Sequence, residues 1–305
     1  MKVVVLTGGV GGAKLVRGLT QIMPPPDITA VVNTGDDFRH LGLCVSPDID
    51  TLLYTLSDKA NKAQGWGREG ESWTFMAALK ELRGEDWFLL GDGDLALHVL
   101  RSARLAKNEP LSSIIADFAR SWGVGANVLP MSDDPIATWL DTDEGALEFQ
   151  RYFVERRCAP KVSRIEFRGA VVARAAPGVL DAIANAEAIL IAPSNPYLSV
   201  DPILAVREIA DALREAKAPI VAVSPLIGGK AVKGPTAKLM DELKVPTANS
   251  AIAAHYGDLL DGLLVHEGDD APSGLATART NTLMTTLEDR ARVARSALDL
   301  ARTLR

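Results

Sequence analysis

A chain of 305 residues with 47% apolar side chains has room for one large α/β domain, or for such a core carrying a sizeable insertion. Its formal net charge of −6 argues against a nucleic-acid partner. The two cysteines, Cys44 and Cys158, fit no metal or redox spacing, no signal-peptide pattern is present, and no apolar run is long enough to span a bilayer; the expectation is a cytoplasmic protein with reduced thiols and no membrane contact.

The β-branched run at 2–7 predicts a buried strand. Gly8-Gly9-Val10-Gly11-Gly12-Ala13-Lys14 follows, and Leu15, Leu19 and Ile22 then recur at helical spacing. A glycine turn between a strand and a helix lets backbone N–H groups approach a phosphate at the positive end of the helix. It is not a Walker A loop, because Leu15 stands where a magnesium-binding Ser or Thr would be, and it lacks the third glycine of a dinucleotide fingerprint. The alternative is a tight turn that only packs a helix on a sheet.

Pro24-Pro25-Pro26 breaks the chain, and residues 28–33 predict a second strand ending in Asn33-Thr34-Gly35-Asp36-Asp37. After Ser46-Pro47-Asp48-Ile49-Asp50-Thr51 a helix begins near Asp48, which can cap it, with Asp50 in its first turn. The functional reading of Asp36, Asp37, Asp48 and Asp50 is oxygen ligation of a divalent cation beside the glycine loop. Residues 57–72 read as a loop or a frayed helix end, 72–82 as a helix, and 87–90 as a short strand. In Gly91-Asp92-Gly93-Asp94, both acids can cap the next helix or reach a ligand; His98 inside that helix reads as packed rather than catalytic.

Residues 105–165 change character: a helix marked by Ile114, Ile115, Phe118 and Trp122, short strands at 128–131 and 136–140, and a basic cluster of Arg156, Arg157 and Lys161 that reads as a solvated face. The α/β rhythm returns after Pro177. A helix at 178–185 and a strand at 188–192 lead to Pro193-Ser194-Asn195-Pro196, and Asp201-Pro202 signals a helix start with Asp as cap. The strand at 220–223 opens into a second glycine-rich loop, 224–235, with Gly228, Gly229, Lys230, Lys233 and Gly234. Residues 263–265 predict the last core strand and 285–303 an amphipathic helix.

Alternating strands and helices imply a Rossmann-like α/β fold, a mostly parallel sheet flanked by helices. The expected division is a core of residues 1–104 and 166–305 with 105–165 inserted as a smaller cap. Every unusual turn follows a strand, so all of them should face one crevice at the carboxyl ends of the strands. Glycine loops, lysines and carboxylates in one crevice prescribe a bound nucleotide or diphosphate with magnesium.

The ordered motifs are more specific. Residues 2–14, Asn33-Thr34-Gly35-Asp36-Asp37, Ser46-Pro47-Asp48-Ile49-Asp50-Thr51, Trp87-Phe88-Leu89-Leu90-Gly91-Asp92, Ala192-Pro193-Ser194-Asn195-Pro196, Ser224-Pro225-Leu226-Ile227-Gly228-Gly229 and Thr280-Asn281-Thr282-Leu283-Met284 resemble the 2-phospho-L-lactate transferases, in the same order and through nearly the whole chain. The resemblance implies a reaction of coenzyme F-420 biosynthesis. A guanosine diphosphate ester of a three-carbon acid is the donor, the ribityl hydroxyl of the deazaflavin Fo is the acceptor, and GMP leaves. It also implies Mg2+ and a homodimer. Substrate contacts are then expected at Gly8, Gly9, Gly11, Gly12, Lys14, Asn33, Asp36, Asp37, Asp50, Leu89, Asp92, Ser194, Asn195, Pro196, Ser224, Gly228, Gly229 and Lys233. Asp48 and Asp50 are expected to hold the metal; Asp50 meets the attacking hydroxyl and Lys233 steadies phosphoryl oxygens. Family members often carry a basic residue where Leu89, Leu90 and Gly93 stand here. The rival reading is a nucleotide-sugar-binding regulatory protein of the same superfamily.

Overall fold

The computed structural model describes residues 1–231 and 234–304; the expectation placed on Lys233 lies outside the described residues. In chain order the strands are β1 (Val3–Thr7), β2 (Ile28–Val32), the hairpin β3 (Phe38–His40) and β4 (Leu43–Val45), β5 (Asn127–Pro130), β6 (Ala137–Thr142), β7 (Gly145–Glu148), β8 (Val162–Arg168), β9 (Ala188–Ile191), β10 (Ile220–Val223), β11 (Leu226–Ile227), β12 (Lys230–Ala231), β13 (Gly262–His266) and β14 (Ala276–Thr280). Seven of them form one sheet in the order β14-β13-β10-β9-β1-β2-β5, with every neighbouring pair parallel. The central strands β1, β9 and β10 are buried along their whole length and, apart from Thr7, apolar, as a sheet covered on both faces requires.

The chain winds outward from β1 through β2 to β5, then returns to β9 and winds the other way through β10 and β13 to β14. The reversal lies between β1 and β9, and a parallel sheet opens a ligand crevice at such a point. One covering layer contains α1 (Gly9–Leu19) and α2 (Pro47–Leu56), together with the C-terminal helix Leu287–Thr303. A Cβ at Gly18 would fall 2.2 Å from the Arg290 carbonyl oxygen, so glycine is what lets α1 seat against the C-terminal helix. Three further helices matter here: α3 (Thr74–Glu81), α4 (Asp92–Leu105) and α5 (Leu111–Ser121).

Several expectations need correction. Residues 105–165 are not one inserted cap: β5 is the edge strand of the main sheet and α5 packs beneath it, because Ile114, Ile115 and Val128 complete the main core. The part outside that sheet is the antiparallel trio β7-β6-β8, which runs on to Arg168. Residues 87–90 form no strand. Phe38 lies 5.9 Å from the Trp87 ring and 4.8 Å from the Phe88 ring, so this apolar run builds a small aromatic core under the β3–β4 hairpin. β14 follows β13 at the sheet edge, its side chains only partly buried, which is why 263–265 reads as the last core strand. Asp201 does not cap a helix start: a π-helical turn, Pro196–Val200, precedes it, and the Asn195 side chain caps that turn by accepting from the Tyr197 and Leu198 amides.

Candidate active site

A cavity of about 540 Å³ opens where β1 and β9 end. Gly8, Gly9, Gly11 and Lys14 line it on one side and Pro193, Ser194 and Asn195 beside them. The two segments are clamped together: Ser194 Oγ donates to the Gly8 carbonyl at 2.6 Å, and the Gly8 amide donates back to Ser194 Oγ at 3.3 Å. A Cβ at Gly11 would meet the Pro193 carbonyl oxygen at 2.6 Å, so any side chain there would push the two segments apart. Ser224, Gly234, Thr282 and Met284 also line it. Lys14 Nζ donates to the Met284 carbonyl at 2.7 Å, tying that residue to α1.

Behind the glycine loop stands the first group of carboxylates. Asp48 Oδ1 accepts from the Gly9 amide at 2.6 Å, so the N-terminus of α1 already faces an anion. Asn33 Nδ2 donates to Asp48 Oδ2 at 3.0 Å and to Asp36 Oδ1 at 3.2 Å, and Asp37 Oδ2 accepts from Ser46 Oγ at 2.7 Å. Burial, reinforced by the charge of Asp48 and then Asp37, holds Asp36 well above the usual carboxylate range. Burial does the same for Asp37 and pushes Asp48 up to about 6. Asp37 Oδ1 is buried with no hydrogen-bond partner. Crowded carboxylates whose ionised forms are destabilised fit a divalent cation held through oxygen.

A pH dependence follows. Asp48 holds its proton more tightly when folded than at its ordinary value of 3.8, so its contribution to stability is full below pH 3.8 and is lost as pH rises through about 6. Without metal, the parent should lose stability relative to Asp48→Asn between pH 4 and 7, by roughly 2–3 kcal/mol in total. Magnesium should raise the parent's melting temperature more at pH 7 than at pH 5. Melting curves in chelator and in magnesium check this; a constant offset between parent and variant across the range would disprove it.

A second cluster surrounds Asp50. Arg101, on α4, is fully buried and donates from both terminal nitrogens, Nη1 to Asp50 Oδ2 at 3.1 Å and Nη2 to Asp50 Oδ1. Arg101 Nη1 also reaches the Cys44 carbonyl at 3.2 Å. His98, one turn earlier, lies between two carboxylates: Nδ1 is 3.6 Å from Asp50 Oδ2 and Nε2 is 3.3 Å from Asp94 Oδ2. Tyr54 Oη donates to Asp94 Oδ1. Burial lifts the Asp50 carboxyl against the pull of Arg101 and His98. Burial would raise Asp94 as well, but His98 and Tyr54 outweigh it and leave Asp94 below its ordinary value. Ligand atoms of Asp50, Asp94 and His98 lie within 4.8 Å of one another, close enough to hold a metal ion. Both Asp50 oxygens, however, already serve Arg101. His98 is packed, as its place in the helix suggests, yet it also lines the cavity.

The expected site residues divide cleanly. Gly8, Gly9, Gly11, Lys14, Asp36, Asp48, Asp50, Leu89, Ser194, Asn195 and Ser224 line the cavity. Asp92 does not: it accepts from Ser72 Oγ at 2.6 Å and from the Thr74 and Phe75 amides, so it caps α3. Asn33 and Asp37 stand behind the wall, holding Asp48 and Ser46. Gly12 packs against Thr7, Pro196 is buried in its π-helical turn, and the Gly228 amide donates to Asp269. Gly229 is likewise absent from the wall. Sequence reasoning missed Tyr54, Trp66 and Arg101, and weighed His98 only as a packed residue. Asp94, His98 and Arg101 at i, i+4 and i+7 share one helix face, a signal that could have found them.

The sequence profile of the family described as "2-phospho-L-lactate transferase CofD" matches residues 3–303. A phosphoenolpyruvate transferase of Kitasatospora aureofaciens is 43% identical, over 100% of this chain and 99% of its own. A 2-phospho-L-lactate transferase of Methanosarcina mazei is 37% identical, over 93% and 95%. A solved UPF0052-family protein of Bacillus halodurans shares the fold, with a TM-score of 0.64 at 20% identity over 97% of this chain and 99% of that one. The crevice at the β1–β9 reversal, its glycine loop and its buried carboxylates therefore sit in a chain that belongs to the 2-phospho-L-lactate transferase family.

Proposed function

We propose that the protein transfers a phosphorylated three-carbon acid from its guanosine diphosphate ester to the ribityl hydroxyl of the deazaflavin Fo, releasing GMP, as a step of coenzyme F-420 biosynthesis. The observation that carries this reading is a single cavity lined by two kinds of residue: the glycine loop with Lys14, Asp36 and Asp48, and the apolar and aromatic side chains of Phe88, Leu89, Phe149 and Phe153. Asp50 and Tyr54 also lie on its wall.

In this reading the hydroxyl oxygen forms a bond to the phosphorus that bears the acid. The bond from that phosphorus to the bridging oxygen breaks, and its electron pair leaves with GMP. Asp50 accepts a hydrogen bond from the hydroxyl and orients its oxygen for in-line attack, a larger contribution than proton abstraction by a carboxylate, and the hydroxyl proton passes to water as the new P–O bond forms. Glycine-loop amides and Lys14 bind phosphate oxygens of the donor. Asp36 and Asp48, rather than Asp50, are the residues that would hold the magnesium ion, which when bound neutralises charge on the diphosphate.

The relatives named after phosphoenolpyruvate and after 2-phospho-L-lactate leave the acid open. Such donors differ by a few atoms, and pocket discrimination at that scale is modest. Incubation with Fo, magnesium and each donor in turn, followed by mass spectrometry, should yield GMP and one phosphodiester of Fo in preference to the others. Absence of product with every donor, together with no calorimetric binding of Fo or GDP, would overturn the transferase reading and favour the regulatory one.

A further inference from the structure

We infer that Trp66 is a stacking platform for the planar ring of the acceptor, presented by a short strap built for that purpose. This rests on the transferase reading and adds to it the residue that selects a conjugated ring over any other carrier of a primary hydroxyl.

The strap is the segment after α2. It is held by its own backbone: the Asn61 amide donates to the Gly67 carbonyl at 3.0 Å, the Gly65 amide to the Asn61 carbonyl at 3.0 Å, and the Glu69 amide to the Lys59 carbonyl at 2.7 Å. Asn61 Oδ1 accepts from the Ala63 and Gln64 amides, which closes the turn. Trp66 sits between Gly65 and Gly67, both at φ 71°, a backbone region that side chains with a Cβ rarely adopt. Two such glycines turn the indole out of the loop, and it remains 48% exposed while lining the cavity.

The strap is also rooted in the catalytic wall at both ends. The Lys59 and Ala60 amides donate to the Tyr54 carbonyl at 2.8 and 3.1 Å. At the other end Arg68 pairs with Glu71 at 3.2 Å, and Glu71 accepts from the Gly93 amide at 2.6 Å, at the start of the helix that carries Asp94 and His98. A ring resting on Trp66 is thereby referenced to both helices that build the Asp50 cluster.

Large apolar side chains that stay exposed mark a ligand surface when they converge. Trp66, Leu89 and Phe153 are three such residues, from three separate segments, and they line this one cavity. Phe153 in turn stacks on Phe149, with ring centroids 5.3 Å apart and planes 27° from parallel. Flat aromatic walls of this kind suit a planar conjugated ring, and each stacked face contributes measurably to affinity without reading the ring's substituents.

The test is calorimetry and steady-state kinetics on the full chain. Trp66→Ala should weaken Fo binding and raise its KM about ten- to a hundredfold, with GDP affinity unchanged within twofold. Trp66→Phe should recover most of the loss, and Trp66→Leu, which keeps apolar area but no ring, should recover little. Because Trp66 is half exposed and the strap is held by backbone bonds, melting temperatures should match the parent. Parental Fo binding by Trp66→Ala, or equal weakening of Fo and GDP, would overturn the inference while leaving the transferase reading intact. A parent that binds GDP but not Fo would overturn both.

Discussion

Asp50→Asn should lower turnover by roughly a hundredfold or more, the size of effect expected when a positioned catalytic group is lost. The amide keeps the size of the side chain and can still accept from one Arg101 nitrogen. It loses the charge that both Arg101 bonds at present complement. Two roles for Asp50 predict different rescue. A metal ligand with weakened affinity is restored by more metal; a group that orients the hydroxyl is not. Because Arg101 occupies both Asp50 oxygens, raising magnesium should not restore the variant. GDP affinity measured without metal should change little, since the hydrogen bonds of Asp50 run to Arg101 and those of the Gly8 and Gly9 amides to Ser194 and Asp48. Near-parental turnover of Asp50→Asn at ordinary magnesium would leave Asp50 as the buried partner of Arg101 in the first turn of α2, with no part in turnover.

What the sequence discloses about this site is what lies close together along the chain. The glycine loop, Ser46-Pro47-Asp48-Ile49-Asp50-Thr51 and Pro193-Ser194-Asn195-Pro196 are local punctuation at strand ends, and a parallel sheet brings strand ends together by topology alone. They therefore converge as expected. Arg101 and His98 are different: their spacing with Asp94 says only that the three share one side of a helix, not what that side meets. Only the packing of α4 against β4, where Arg101 reaches the Cys44 carbonyl, aims that face at Asp50. Asp92 shows the converse error. An acid after Gly91 reads equally as a cap or a ligand, and the tertiary position of α3, folded back onto it, decides for the cap. The fold errors share a cause. A four-residue apolar run carries no information on whether it pairs in a sheet or fills a side core, so 87–90 reads as a strand it does not form and the strand at 128–131 gives no sign that it belongs to the main sheet.

Arg101→Met should be the most destabilising single change in the site, by about 3–5 kcal/mol, because it leaves a buried carboxylate without its counter-ion. The environment offers Asp50 little else. The other ring or side-chain nitrogen near it is His98 Nδ1 at 3.6 Å, and the opposite nitrogen of that ring already faces Asp94. The Cys44 carbonyl would also lose a donor. Set against a net folding stability of about 5–15 kcal/mol, this is enough to lower the melting temperature visibly and to erode soluble yield. Stability and chemistry are separated by the double variant Asp50→Leu, Arg101→Met, in which an apolar pair of similar volume replaces the ion pair. Replacing a buried pair as a whole is often neutral or stabilising, so urea midpoints should return most of the way to the parent. Turnover should not return, because no carboxylate remains to meet the hydroxyl. Arg101→Lys, which keeps the charge but not the two-pronged geometry, should hold intermediate stability with turnover well below the parent and an unchanged donor KM. If Arg101→Met melted like the parent, the pair would be incidental to the fold; if Arg101→Lys turned over at the parental rate, the bidentate grip on Asp50 would have no part in aiming it.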